Sequence, residues 1–181
     1  MYKQLQNHLN KHSILAQEQF GFWPDSTTNK AMYKLINETL NALDSKLIVG
    51  GIFFDLEKAL GCLNHVILLS KLKYYGVNGI TRSWFVSYLQ NRYMRVQITD
   101  EESNQTSFSA WKKITVGVPQ GSVLGPLLFL LYVNDVPKTM NDNNIPILFA
   151  DDTSLIVKSP NPKDFQTNMV ETFDRVTNGL K

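Results

Sequence analysis

The chain has 181 residues, 43% hydrophobic and 19% charged, with a formal net charge of +2. That balance fits one domain, or a piece of one, folded around a real core, and excludes a disordered chain. The single cysteine, Cys62, excludes an internal disulfide, and His8, His12 and His65 lack companions at zinc spacing.

Met1 to Lys11 reads as a helix with Leu5 and Leu9 four apart. Gln19 to Ser26 reads as a loop, and Asp25 or Ser26 can cap the next helix. That helix carries Met32, Leu35, Ile36, Leu40 and Leu43 as a one-sided apolar stripe. Lys46 to Leu56 reads as a strand, near-continuously apolar as a central strand covered on both faces would be. Asp55 stands at its end, either as a turn acid or as part of a site.

Asn64 can cap a helix through Val66, Leu68, Leu69 and Leu72 that stops near Gly76, and a second runs from about Ile80 to Leu89. Arg92 to Ile98 alternates as a strand, Asp100-Glu101-Glu102 is a polar turn, and Ser107 to Val116 is a partner strand. From Val66 to Thr99 there is no acid, while Lys71, Lys73, Arg82, Arg92 and Arg95 are interleaved with Tyr74, Tyr75, Trp84, Phe85, Tyr88 and Tyr93. Cations for phosphates and rings for bases fit a nucleic-acid surface, and the same rings would also serve a core.

Gly117 to Pro126 holds several glycines and prolines around one amide side chain, Gln120. It is a tight connection or a shaped loop whose backbone can come close to a ligand. Pro126 suits the first turn of a helix, and Leu127 to Val133 is apolar all round, hence buried. The most apolar run, Val123 to Val133, is far short of the ~20 residues of a membrane span. With no signal peptide either, an intracellular protein off the membrane is expected. Asn161-Pro162 opens a last helix carrying Phe165, Met169, Phe173, Val176 and Leu180.

The most telling stretch is Phe149-Ala150-Asp151-Asp152 between two apolar runs, Ile145 to Phe149 and Ser154 to Val157. It reads as a hairpin with paired acids at its turn. Two adjacent carboxylates repel, and a hard cation such as Mg²⁺ relieves that cost; a plain polar turn is the alternative.

Asp55-Leu56-Glu57-Lys58-Ala59, the Gly117 to Pro126 loop and Phe149-Ala150-Asp151-Asp152, in that order, resemble the palm motifs of a reverse transcriptase, the RNA-directed DNA polymerase of jockey-like non-LTR retrotransposons. Gln19-Phe20-Gly21-Phe22, Leu68 to Leu72 and Tyr132 to Pro137 also match the family's pattern, so the similarity covers almost the whole chain. The resemblance implies an α+β fold, a palm of antiparallel sheet backed by helices, with partial fingers in residues 1–45, mainly palm with finger elements in 46–181, and no thumb.

It also implies two-metal transfer of deoxynucleotides to a primer 3′-hydroxyl with Mg²⁺, or Mn²⁺, an RNA template and a DNA primer or target. Asp55 and Asp151 would be the main ligands, Asp152 would assist, and a backbone carbonyl beside Asp55, such as that of Leu56, would complete the shell. Pro119, Gln120 and Gly121 would lie against the incoming nucleotide and template base. Leu60 takes the place of the family's aromatic ring against a ribose 2′-hydroxyl. Gly61 replaces a usual acid, and Trp23 a usual arginine. A remnant that keeps the palm and binds nucleic acid without polymerising is the alternative.

Overall fold

The computed structural model describes residues 1–24, 26–56, 58–141 and 144–179. Helix α1 (Tyr2–Lys11) buries Leu5 and Leu9 on one face, as their spacing requires. Helix α2 (Thr28–Asp44) starts at Thr27, whose hydroxyl accepts from the Lys30 amide at 3.3 Å. Ser26 is therefore not the cap, and Asp25 lies outside the described residues. The apolar stripe of α2 also departs from expectation. Ala31 and Ala42 are the buried positions, while Met32, Ile36, Leu40 and Leu43 are exposed. The small alanines let the helix settle closely on the sheet, with Leu35 alone of the stripe packed beneath it.

Strand β1 (Ile48–Asp55) leads into a 3₁₀ turn, Ala59–Gly61, then helices α3 (His65–Tyr74) and α4 (Gly79–Leu89). Asn64 caps α3, its side-chain oxygen accepting from the Val66 amide at 2.9 Å and the Ile67 amide at 3.3 Å.

The expected pair of long strands is broken into two short pairings. Strand β2 (Tyr93–Met94) pairs with β5 (Lys112–Lys113), and β3 (Gln97–Thr99) with β4 (Thr106–Phe108). Met94 faces Lys112 and Gln97 faces Phe108, so Arg95 and Val96 stand opposite Ser109, Ala110 and Trp111. That one-residue excess is a β-bulge, and it splits the ribbon. Asp100 holds the polar turn by accepting from the Ser103 hydroxyl at 2.8 Å and the Glu102 amide at 3.0 Å. These bonds, Ser103's first, hold its carboxyl below the usual range.

Helix α5 (Gly125–Val133) carries Pro126 in its first turn and is buried almost all round. It is the centre of a core shared with α1, α3 and α4, including Leu9, Leu68, Phe85 and Leu128. Strands β6 (Asn144–Phe149) and β7 (Asp152–Ser159) form the acid-bearing hairpin, and α6 (Pro162–Gly179) closes the described chain. Asn161 accepts from the Asp164 amide at 2.9 Å, the cap read from sequence. In α6, Val176 is fully buried and Phe173 stacks on Phe54 at 5.7 Å; Leu180 lies outside the described residues.

The sheet order is β1-β7-β6, all antiparallel. The central strand is thus β7, whose Leu155, Ile156 and Val157 are all buried, and β1 is an edge rather than the doubly covered strand expected. Phe53 on that edge is 70% exposed. Gly50 makes room for Phe165 of α6, since a Cβ there would stand 2.5 Å from the ring. The architecture is α+β, an antiparallel sheet backed by helices, as expected.

Candidate active site

The hairpin places its acids by register. Asp152 is the first residue of β7 and lies directly opposite both Asp55, the last of β1, and Phe149, the last of β6. Opposed residues leave the same face of a sheet. That face is the one on which Ile156 meets Ala31 of α2 and Lys158 pairs with Glu38 at 2.9 Å. The two-residue loop between β6 and β7 is Ala150 and Asp151, and Ala150 takes φ +54°. A positive φ at the first loop position matches the twist of a tight hairpin, at a steric cost for any residue with a Cβ.

Asp151 faces an open cleft of about 1110 Å³. Leu60, Pro119 and Gln120 line the same cleft, so four of the residues singled out from sequence share one wall system. Gly121 does not line it; it takes φ +75°, with open space where a Cβ would be. Asp55, Asp152 and Leu56 lie at the strand end beside the cleft and are not among its lining residues.

The Gln120 loop is fastened to the turn that carries Leu60. The Gly117 amide donates to the Leu63 carbonyl at 2.8 Å, and the Val118 amide to the Leu60 carbonyl at 2.9 Å. The buried His65 ring meets the Gly117 carbonyl through Nε2 at 2.7 Å.

The family model described as reverse transcriptase (RNA-dependent DNA polymerase) matches residues 1–180. The chain belongs to the reverse transcriptase family. It is 32% identical over 167 residues to the probable RNA-directed DNA polymerase from transposon BS of Drosophila melanogaster, a match covering 86% of this chain and 17% of that protein. It is 30% identical over 154 residues to the RNA-directed DNA polymerase from mobile element jockey of the same species, covering 78% of this chain and 15% of that protein. The chain therefore spans about a sixth of the length of these relatives. Apo telomerase from Candida tropicalis has the same fold, with a TM-score of 0.64 at 15% identity over 96% of this chain and 33% of that one. The telomerase solved with a TWJ fragment of telomeric RNA gives 0.62 at 14% identity, over 98% of this chain and 31% of that one. The chain is thus a member of the reverse transcriptase family that is similar to transposon-borne polymerases, with an α+β palm-like fold.

Several residues of this reverse transcriptase domain join the cleft without having been singled out as site residues. Phe22, Lys58, Arg92, Tyr93, Lys112 and Lys113 all line it. Of the basic, aromatic stretch, Phe85 is core and Tyr74 is exposed, while Trp84 and Tyr88 stack at 5.3 Å. Lys71 is tied to Asp135 and the Tyr132 carbonyl, a structural role. The guanidinium of Arg95 lies 3.9 Å from the Phe108 ring centre and 4.7 Å from that of Trp111. Only the bulge brings those three together.

Among the described residues, no three His, Cys, Asp or Glu side chains converge as a ready-made metal cluster. A Mg²⁺ site that handles phosphates needs no such cage; one or two carboxylates suffice, with waters and substrate oxygens completing the shell. The opposed pair Asp55 and Asp152 meets that need in kind and number, and Asp151 lines the cleft one residue away. No described helix is long and apolar enough to cross a membrane.

Proposed function

We propose that this domain extends a DNA primer on an RNA template, adding deoxynucleotides to the 3′-hydroxyl by phosphoryl transfer. The observation that carries the reading is the meeting of Asp55 and Asp152 in register at the strand end, with Asp151 turned to the cleft that Leu60, Pro119 and Gln120 line. Asp55 and Asp151 would hold Mg²⁺ or Mn²⁺, Asp152 would assist, and the Leu56 carbonyl would add a neutral oxygen. The bound ions supply activation of the 3′-hydroxyl and neutralisation of the phosphate charge.

The chain's own side chains do the rest. Gln120, exposed on its loop, offers donors and an acceptor to a base or sugar without adding charge. Gly121 leaves room for a ligand beside the backbone. Leu60 gives the sugar an apolar floor shorter than a ring. Arg92, Lys112 and Lys113 put positive charge on the cleft's rim, where phosphates would pass. Residues 1–45 would belong to the fingers, and the sheet with its helices to the palm.

A second reading, a remnant that binds nucleic acid without polymerising, draws on Leu60 and Gly61 where the family has a ring and an acid. Primer extension separates the two. The folded chain is given a primed RNA template, four deoxynucleotides and Mg²⁺ or Mn²⁺, beside an Asp151→Ala, Asp152→Ala double variant. Extension by the parent alone supports the polymerase. Extension by neither supports the remnant.

A further inference from the structure

The turn that presents Asp151 is held from outside the hairpin. Gln19 is 7% exposed, and its Oε1 accepts from the Ala150 amide at 3.0 Å and from the Gly21 amide at 2.7 Å. The backbone on either side is stitched to β6: the Phe20 amide donates to the Leu148 carbonyl at 2.7 Å, and the Leu148 amide to the Glu18 carbonyl at 2.8 Å. Gly21 lies so close that a Cβ on it would stand 2.0 Å from the Ala150 nitrogen. The Nε2 of Gln19, by contrast, is buried without a hydrogen-bond partner.

An unpaired buried amide donor is costly, so packing alone is a poor reason for a glutamine here. The Ala150 amide belongs to the loop and not to the β6–β7 ladder, and its residue sits at φ +54°, strained for alanine. A side-chain acceptor supplies that amide's partner and holds the strained backbone one residue before Asp151.

We infer that Gln19 is a positioning residue: its Oε1 latches the Ala150 turn and so fixes where the Asp151 and Asp152 carboxylates stand. The functional part of this inference rests on the reading of those carboxylates as metal ligands. Gln19 touches neither metal nor substrate and acts through the Ala150 amide.

The test is amide hydrogen exchange by NMR on the full chain, with Mn²⁺ titration of the same samples. Gln19→Met keeps the length and removes the acceptor. It should speed exchange at Ala150 by about tenfold, with the Leu148 amide and the β6–β7 ladder unchanged. Gln19→Glu keeps an acceptor oxygen and should restore protection at Ala150. Should Gln19→Met fail to fold, Gln19→Asn, whose oxygen is one methylene short of the turn, carries the same measurement. Apparent Mn²⁺ affinity should fall several-fold in Gln19→Met and recover in Gln19→Glu. Unchanged exchange at Ala150, or acceleration spread evenly over β6 and β7, overturns the latch. Loss of Mn²⁺ binding in Asp152→Asn with none in Gln19→Met overturns the positioning role while keeping the metal site. A parent chain that binds no Mn²⁺ removes the metal site and the positioning role with it, and leaves the turn latch to the exchange data.

Discussion

The Val118 amide donates to the Leu60 carbonyl at 2.9 Å, so the loop bearing Gln120 and the turn bearing Leu60 are one mechanical unit. Gly117 is what lets them touch. It takes φ +82°, and a Cβ on it would stand 2.7 Å from the Gly61 carbonyl oxygen. Gly117→Ala therefore meets both a left-handed backbone and another backbone, and should cost about 2–3 kcal/mol. Gly121, also at positive φ but with nothing within 4 Å, is the control. Gly121→Ala should cost only about 1 kcal/mol. Urea midpoints of the two variants check this; equal losses would mean that the Gly117–Gly61 contact is not tight.

Asp55 and Asp152 stand directly opposite each other at the ends of their strands. Like charges facing each other across two strands destabilise a sheet. In chelator at neutral pH, Asp152→Asn should therefore be more stable than the parent by about 0.2–1 kcal/mol. With these carboxylates as the proposed metal ligands, the order should narrow or reverse in Mn²⁺, since ion binding would stabilise the parent more than the variant. Thermal melts with EDTA and with Mn²⁺ measure both. A variant less stable than the parent in EDTA would contradict the repulsion.

What the sequence made legible was local chemistry. Asn64 and Asn161 cap helices, Pro126 starts one, and Asp151-Asp152 sits at a hairpin turn, because each signal lies within a few residues of its effect. What it hid depended on neighbours. The apolar run of β1 implied burial but not which strands flank it. The α2 stripe lost to Ala31 and Ala42, since close seating on a sheet favours small residues over large ones. Arg95 met Phe108 and Trp111 only through a one-residue register shift. The partner of Gln19 lies 131 residues away, at Ala150.

Arg95 lies against two exposed rings, Phe108 and Trp111, and the group offers a charge for phosphate and ring faces for a base. The ribbon stands beside the cleft through Tyr93, Met94, Lys112 and Lys113. Trp111→Ala should weaken binding of a single-stranded RNA oligonucleotide by about 1–2 kcal/mol. Arg95→Ala should weaken it too and flatten its salt dependence, by removing one phosphate contact. Fluorescence anisotropy over a range of salt reads both effects. Because the ribbon is exposed, neither change should move the melting temperature by much. Unaltered affinity in both variants would take the ribbon out of template binding.

Asn134, which follows α5, joins three segments. Its Oδ1 accepts from the Ala16 amide at 2.7 Å, and its Nδ2 donates to the Ile14 carbonyl at 2.8 Å and the Tyr75 hydroxyl at 2.9 Å. Asn134→Ala leaves these half-buried groups without their partner and should cost about 1–3 kcal/mol, read as a urea midpoint. Its partner makes the fold sensitive to base. Burial raises the Tyr75 phenol above its ordinary value, the Asn134 bond lowers it in part, and the Asp135 charge adds to the rise. The folded chain thus holds this proton more tightly than the unfolded chain does. The corresponding stability is fully present below pH ~10, the unfolded tyrosine value, and is lost as pH climbs through the higher folded value. Tyr75→Phe cannot ionise. Between pH 9 and 11 its stability should therefore fall less steeply than that of the parent, and parallel curves would show that Tyr75 ionises alike in the folded and unfolded chains.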